Sequence, residues 1–271
     1  MEAVERPKTF RAITPEQSEH YQEQGYIIVR DLFAPSEVRE MLAECDAIHR
    51  GDYGELFQGS AQIEPEFAEA AKKDPEVAKL ARKFSAVVER SVIFRKYLLK
   101  EKLVNVIRDL LGPDLLLFRD ILMMKPAKIG SKMPWHQDSN YWPIRPTDLC
   151  SVWTALDEAT LENGCMRVVP GSHKLDLITP KQQGATFLLD EQIDFNRVVD
   201  VPLKPGSSLF FHSRLLHGSE PNRSDKSRRA FITSFMSAQS TQRDKFRTRE
   251  RYFLVCGRTH PGCVKSSSDS F

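Results

Sequence analysis

From Asp114 onward, short apolar runs alternate with Gly- and Pro-containing turns and no helix-length pattern intervenes, which restricts this half of the chain to a β architecture. Leu115 to Met124 is almost unbroken in its apolar character, as suits a strand buried on both faces. Cys150 to Leu156, Met166 to Val169, Arg197 to Leu203, Ser208 to His212 and Ala230 to Met236 follow. Asn163-Gly164, Pro170-Gly171 and Pro205-Gly206 supply turns between them. Several short strands joined in this way predict a sandwich or jelly roll rather than an α/β sheet. The connection from Lys174 to Asn196 is longer than an ordinary loop, and loops of that length are commonly functional or mobile.

The preceding residues have a different texture. Thr14-Pro15-Glu16-Gln17 reads as a helix start: a hydroxyl N-cap, Pro at the first helical position, and Gln three residues after the cap. That helix runs towards Gly25, and Tyr26 to Val29 reads as a short buried strand. Pro35 opens a second helix with Val38, Met41, Leu42 and Cys45 on one face. Helical patterns are expected again from about Pro75 to Phe84 and from Glu101 to Leu111, where Gly112-Pro113 ends the last one. The expected architecture is one domain over 1–271, mostly β with α: a mainly helical part over 1–112, a jelly-roll core over 113–240 and a tail over 241–271.

Composition excludes few classes but argues against two. A formal net charge of +2 gives no reason to expect nucleic acid or an acidic membrane as the main partner. The stretch Arg243 to Arg251, with Lys245, Arg247 and Arg249, is diluted by Asp244 and Glu250 and reads as a solvated face. No apolar run approaches the roughly 18 residues that span a bilayer, and Met1 to Arg11 has no apolar signal core. Five cysteines, odd in number and scattered, suit a reducing compartment, so a cytoplasmic protein is expected.

Candidate chemistry centres on His136-Gln137-Asp138. Residues i and i+2 of a strand project from one face, so an imidazole and a carboxylate aim at one point. A later histidine would complete a two-His, one-carboxylate triad, which leaves positions open for a bidentate cosubstrate and O2 and marks non-haem Fe(II) oxygenases. Two histidines compete for that role. His212 closes an apolar strand, whereas His217 precedes Gly218, which allows close backbone approach. The polar stretch Glu220 to Ser227 reads as hairpin-like, returning the chain to Arg228-Arg229 and another apolar strand. An arginine there suits a bidentate pair with a carboxylate, and because strand neighbours face opposite ways only one of the two can form it. His173, in Pro-Gly-Ser-His, reads as a turn residue. Cys256, His260 and Cys263 lack the tight spacing of a four-ligand zinc site.

Taken together, several segments resemble the phytanoyl-CoA dioxygenase family. They are Pro134-Trp135-His136-Gln137-Asp138 with Tyr141, Pro143 and Arg145-Pro146 after it, Trp153-Thr154-Ala155-Leu156, Glu162-Asn163-Gly164-Cys165, Pro170-Gly171-Ser172-His173-Lys174 and His217-Gly218-Ser219. The resemblance covers about Leu111 to Met236 closely. It implies an Fe(II)- and 2-oxoglutarate-dependent dioxygenase with a double-stranded β-helix core, its iron held by His136, Asp138 and His217. It puts the cosubstrate arginine eleven residues after the last histidine, at Arg228, and adds Ser219, Trp153, Ile121 and Lys83 as cosubstrate neighbours. Tyr141, Trp142 and Arg145 are candidates for substrate contact. The implied reaction consumes O2 and 2-oxoglutarate, releases succinate and CO2, and hydroxylates an unactivated C–H of a small organic substrate, an acyl-CoA being the first candidate. Desaturation, cyclisation or epimerisation with the same cofactors is the alternative, and a catalytically silent jelly-roll binding module is the third reading. Related halogenases carry a small residue in place of the carboxylate, so Asp138 argues against halogenation.

Overall fold

The computed structural model describes residues 10–57, 59–64, 67, 69, 81–181, 187–242 and 252–266. Helix α1 (Pro15–Gln24) starts as its sequence dictates: Gln17 N–H donates to Thr14 Oγ1 (3.2 Å) and Thr14 N–H donates to Gln17 Oε1 (2.9 Å). Gly25 ends it in the left-handed region, at φ +83°. Strand β1 (Tyr26–Val29) and helix α2 (Pro35–Arg50) follow, with Val38, Met41 and Cys45 of α2 buried. Then come β2 (Ala61–Ile63), β3 (Ala81–Ser85), α3 (Val87–Arg90), α4 (Val92–Leu98) and α5 (Glu101–Leu111).

One expectation fails in this part. Ala81 to Phe84, read as the end of a helical pattern, lie in β3, while residues 75–80 fall outside the described residues. Gln62 pairs with Lys83 and Ile63 with Ala81, so Arg82 is the extra residue of a β-bulge. The bulge leaves the buried residues Ala81 and Phe84 three apart, a spacing that imitates a helical face.

The remaining strands are β4 (Leu115–Lys125), β5 (Met133–His136), β6 (Ile144–Arg145), β7 (Cys150–Ala155), β8 (Met166–Val168), β9 (Val199–Val201), β10 (Ser208–His212), β11 (His217–Ser219), β12 (Arg228–Ser237), β13 (Thr241–Gln242) and β14 (Phe253–Cys256). A major antiparallel sheet has the order β1-β10-β7-β12-β4-β3-β2, with β14 beside the start of β4. A minor sheet has the order β5-β11-β8-β9. The strands β1 to β3, from the part expected to be mainly helical, and β14, from beyond residue 241, thus extend the major sheet. The charge run over residues 243–251 lies outside the described residues. The Arg197 to Leu203 run is strand only over Val199–Val201, because Phe195–Arg197 turn into a 3-10 helix.

Period-two alternation divides β12 between two apolar layers. Phe231 and Phe235 face the helices, where Phe231 meets Phe94 of α4 with ring centroids 4.8 Å apart. Ala230 and Ile232 face the other way and pack with Trp153, Met166, Val168, Leu209 and Phe211, drawn from both sheets. All five cysteines are free thiols, and no helix among the described residues is long and apolar enough to cross a membrane.

The Glu220 to Ser227 stretch is not a hairpin. β11 belongs to the minor sheet and β12 to the major one, so this stretch crosses between them. Asn222 anchors the crossing, its Nδ2 donating to Lys125 O (2.9 Å) and Lys226 O (2.8 Å). The correction matters for function, because it sets Arg228 on a different sheet from His217.

Candidate metal and cosubstrate site

β11 pairs with β5 so that His217 lies opposite His136, and the two imidazole centroids are 4.1 Å apart. Close approach of the strands depends on Gly218, where a Cβ would come within 2.9 Å of Met133 O. Asp138 is not on the strand itself, since β5 ends at His136 and Asp138 opens a 3-10 turn. Gln137 nevertheless stays extended (φ −114°, ψ 125°), which prolongs the alternation by one residue and returns Asp138 to the side of His136. The result is His136 Nε2 at 3.8 Å from Asp138 Oδ1, with ligand atoms of His136, Asp138 and His217 all within 4.8 Å of one another. Among the described residues this is the one such group of three.

The protein orients each ligand from behind. Nδ1 of His136 lies 2.8 Å from Pro134 O and Nδ1 of His217 lies 2.9 Å from Leu215 O. A carbonyl only accepts, so both Nδ1 atoms carry the proton and both Nε2 lone pairs are left for a metal. Burial, and after it His217, pushes the His136 imidazole down to about 4, so it stands neutral at physiological pH. Ser151 Oγ donates to Asp138 Oδ2 (3.0 Å), which leaves Oδ1 on the histidine side.

His212 does not join the cluster. Its Nε2 is 3.0 Å from Asp148 Oδ1, and its Nδ1 accepts from Arg214 N–H (3.0 Å). His173 Nε2 donates to Gln22 O (3.0 Å), as a structural turn residue would. His260 Nε2 pairs with Asp114 Oδ2 (2.8 Å) and Cys256 Sγ donates to Pro113 O (3.3 Å), so the C-terminal soft ligands are engaged separately.

Beside the cluster, between the sheets, lies a cavity of about 280 Å³. Arg228 is buried in its wall with its guanidinium carbon 5.0 Å from the Trp153 ring centre. Among the described residues its Nε and Nη1 have no hydrogen-bond partner. A buried guanidinium with two idle donors is costly unless something completes it. Arg229 points the other way, donating to Asp157 through Nε (2.8 Å) and Nη2 (2.9 Å) and to Asp46 through Nη1 (2.7 Å).

Ser219, Trp153, Ile121 and Lys83 all line the cavity, as do Tyr141 and Trp142. Trp142 is also core, tilted against Phe118 at 4.8 Å. Arg145 is not among the lining residues; its Nη1 donates to Ile144 O (2.8 Å). From the long loop after Lys174, Phe187 reaches the cavity and stands 5.7 Å from the His136 ring, while residues 182–186 lie outside the described set.

Sequence reasoning missed Lys125. It sits opposite Arg228 in the β4–β12 ladder, and its Nζ donates to Ser219 Oγ (2.9 Å) and to Glu220 O. Burial, and after it the Arg228 charge, hold its ammonium down to about 7. Alternation was the available signal: Ile121, Met123 and Lys125 occupy one face of β4 and all line the cavity.

These residues fit a divalent cation with an oxyanion beside it: two imidazoles with Nε2 turned inward and a carboxyl group at one point, and an uncompleted guanidinium in the same cavity. The sequence matches the phytanoyl-CoA dioxygenase (PhyH) family over residues 21–230. The chain belongs to the phytanoyl-CoA dioxygenase family. It is an Fe(II)- and 2-oxoglutarate-dependent oxygenase. A probable phytanoyl-CoA dioxygenase of Caenorhabditis elegans is 31% identical over 232 residues, spanning 80% of this chain and 73% of the relative. The peroxisomal phytanoyl-CoA dioxygenase of Homo sapiens is 29% identical, over 83% of this chain and 69% of the relative. In fold, the chain is similar to EctD from S. alaskensis solved with 2-oxoglutarate and 5-hydroxyectoine, at TM-score 0.76 and 20% identity over 97% of this chain and 90% of that one. It is also similar to the carbocyclase SnoK from nogalamycin biosynthesis, at TM-score 0.69 and 23% identity over 85% of this chain and 87% of that one.

Proposed function

We propose that this family member hydroxylates an unactivated C–H of a small organic substrate, with His136, Asp138 and His217 holding Fe(II) and Arg228 binding the distal carboxylate of 2-oxoglutarate. The observation that carries the reading is the buried Arg228 guanidinium, with idle donors, in the cavity of the His-Asp-His cluster. Its neighbours support the assignment. Ser219 Oγ and Lys125 Nζ add a hydroxyl and a cation beside it, and Trp153 gives the guanidinium a flat face to rest on.

Metal and cosubstrate, when bound, would supply the oxidising chemistry, in which 2-oxoglutarate, O2 and the substrate C–H are converted to succinate, CO2 and the hydroxylated substrate. The chain's own residues position and protect. Pro134 O and Leu215 O hold the two histidines in the metal-binding tautomer, and Ser151 holds Asp138 with one oxygen turned inward. Met123, Phe211, Ile232 and Phe187 line the cavity with apolar surface, which keeps water from the reacting carbon.

The test is to supply the purified protein anaerobically with Fe(II) and 2-oxoglutarate, then admit O2 with a panel of acyl-CoA and other small organic substrates. Relatives named phytanoyl-CoA dioxygenases support placing branched acyl-CoAs first in that panel. Stoichiometric succinate and a product heavier by one oxygen are expected. A product lighter by two hydrogens would assign desaturation instead, and no succinate with any substrate would overturn the reading.

A further inference from the structure

Strand pairing sorts the cavity face of the major sheet into rows. Lys125 and Arg228 pair at one end of the β4–β12 ladder, and Ile121, Ile232 and Trp153 form an apolar row across three strands. Beyond that row, Ser234 of β12 pairs with Ser151 of β7. Ser234 lies six residues after Arg228, about 20 Å between Cα atoms at strand rise. The cosubstrate, anchored at Arg228, has its polar partners at the other end of that span. Ser234 lines the same cavity and is only 1% exposed.

The two serines form a chain of hydroxyls that ends on the carboxylate of the metal cluster. Ser151 Oγ lies 3.0 Å from Asp138 Oδ2 and 3.0 Å from Ser234 Oγ. A carboxylate that ligates a metal is ionised and only accepts, so the single Ser151 proton goes to Asp138. The contact between the serines then needs the other hydroxyl as donor, and the single Ser234 proton goes to Ser151. Both protons point towards Asp138. Among the described residues Ser151 is the one side-chain hydrogen-bond partner of Ser234.

What remains on Ser234 is an oxygen with lone pairs, beside the apolar row of Ile121, Ile232 and Trp153. An acceptor in such surroundings gains by meeting a donor and loses by meeting another acceptor. A donor placed there also strengthens the chain behind it, because each hydrogen bond polarises the next.

We propose that Ser234 is a recognition point for the primary substrate. Its oxygen accepts a hydrogen bond from a donor on that molecule, a hydroxyl, an amide N–H or an ammonium, while its proton is committed through Ser151 to Asp138. This inference rests on the reading of Asp138 as a metal ligand.

The experiment has two arms. In the first, anaerobic equilibrium dialysis of the full chain measures Fe(II) affinity. Ser234→Ala should weaken it about two- to fivefold, the share that a cooperative neighbour adds to a charge-assisted bond. Ser234→Thr, which keeps the hydroxyl, should restore it. Because Ser234 acts on the metal through Ser151, Ser234→Ala combined with Ser151→Ala should bind Fe(II) no more weakly than Ser151→Ala alone. Additive losses overturn the proposal.

In the second arm, calorimetry titrates hexan-1-ol, hexanamide, hexylammonium and 1-fluorohexane into protein loaded with Fe(II) and saturating 2-oxoglutarate. The fluoride is close to the alcohol in shape and has no proton to donate. Ser234→Ala should cut the affinity of at least one donor probe, relative to 1-fluorohexane, by about fivefold or more. The probe most affected identifies the donor class, and Ser234→Thr should keep its advantage. Equal ratios in wild type and Ser234→Ala, or no binding by any probe, overturn the proposal. If the wild-type chain takes up no Fe(II), the metal reading fails on its own account. The same ratios measured on metal-free protein then decide whether Ser234 accepts from a donor.

Discussion

Arg228 and Arg229 are adjacent on β12, yet their guanidinium groups lie on opposite faces of the major sheet: the first in the cavity over Trp153, the second clamped by Asp157 and Asp46. Arg228→Gln should weaken metal-dependent 2-oxoglutarate binding by about 100-fold, the loss of a charge-assisted bidentate pair. Arg229→Gln should leave that affinity near wild type and lower unfolding stability by about 1–3 kcal/mol, since Asp157 loses its half-buried partner. Calorimetry and urea unfolding measure the two effects. An exchange of the two phenotypes would reverse the assignment.

Ser151 touches no proposed metal position but holds Asp138 at 3.0 Å. Ser151→Ala should lower Fe(II) affinity by about 10–100-fold, as loss of an outer hydrogen bond does at metal sites. Asp138→Ala should abolish metal binding, and His212→Gln should leave it unchanged, because His212 is engaged with Asp148. Metal uptake measured by equilibrium dialysis gives all three answers. Retained uptake by Asp138→Ala would exclude the site.

Lys125 should make 2-oxoglutarate binding pH-dependent. Burial and Arg228 hold its ammonium down to about 7, so slightly above neutrality the free protein carries it mostly unprotonated. An anion bound beside it favours the protonated form and raises its pKa. Binding there must take up a proton, and affinity should fall as pH rises through 7 and beyond. Calorimetry in buffers of different ionisation enthalpy, at about pH 8, should show uptake approaching one proton in wild type and markedly less in Lys125→Met. Equal uptake by the two proteins would remove Lys125 from the cosubstrate end.

At Gly218 the two ligand strands leave little room for a side chain. A Cβ there would lie 2.9 Å from Met133 O and 3.4 Å from the Trp135 ring, both of them parts of β5. Gly218→Ala should cost about 1–3 kcal/mol by overpacking. It should also weaken Fe(II) binding, since the contact it disturbs sets the His217–His136 register. Thermal unfolding and metal titration test the two parts, and unchanged metal affinity would show that the register tolerates the strain.

Local features were legible where one short segment carries its own instructions. The Thr14–Gln17 capping box, the Tyr26–Val29 and Ser208–His212 strands and the Glu101–Leu111 helix stand where the sequence places them. The candidate ligands were legible in part for a related reason, because His-x-Asp is a local pattern with its own chemistry, and family resemblance then pointed to His217. β3 was misread because its bulge gives Ala81 and Phe84 a helical spacing, and only pairing with β2 and β4 resolves the ambiguity.

By itself the sequence determined the β texture after Asp114, the caps of the first helix, and a triad of His136, Asp138 and His217 through family resemblance. Tertiary structure alone decided that β11 and β12 lie in separate sheets, so that Arg228 is carried to a wall of the cavity apart from the histidines. It alone brought Lys125 against Ser219, and Lys83 of β3 into the same cavity. The physical reason is range. Capping and alternation act over a few residues, whereas which charges share a buried space depends on strand pairings that join residues about a hundred positions apart.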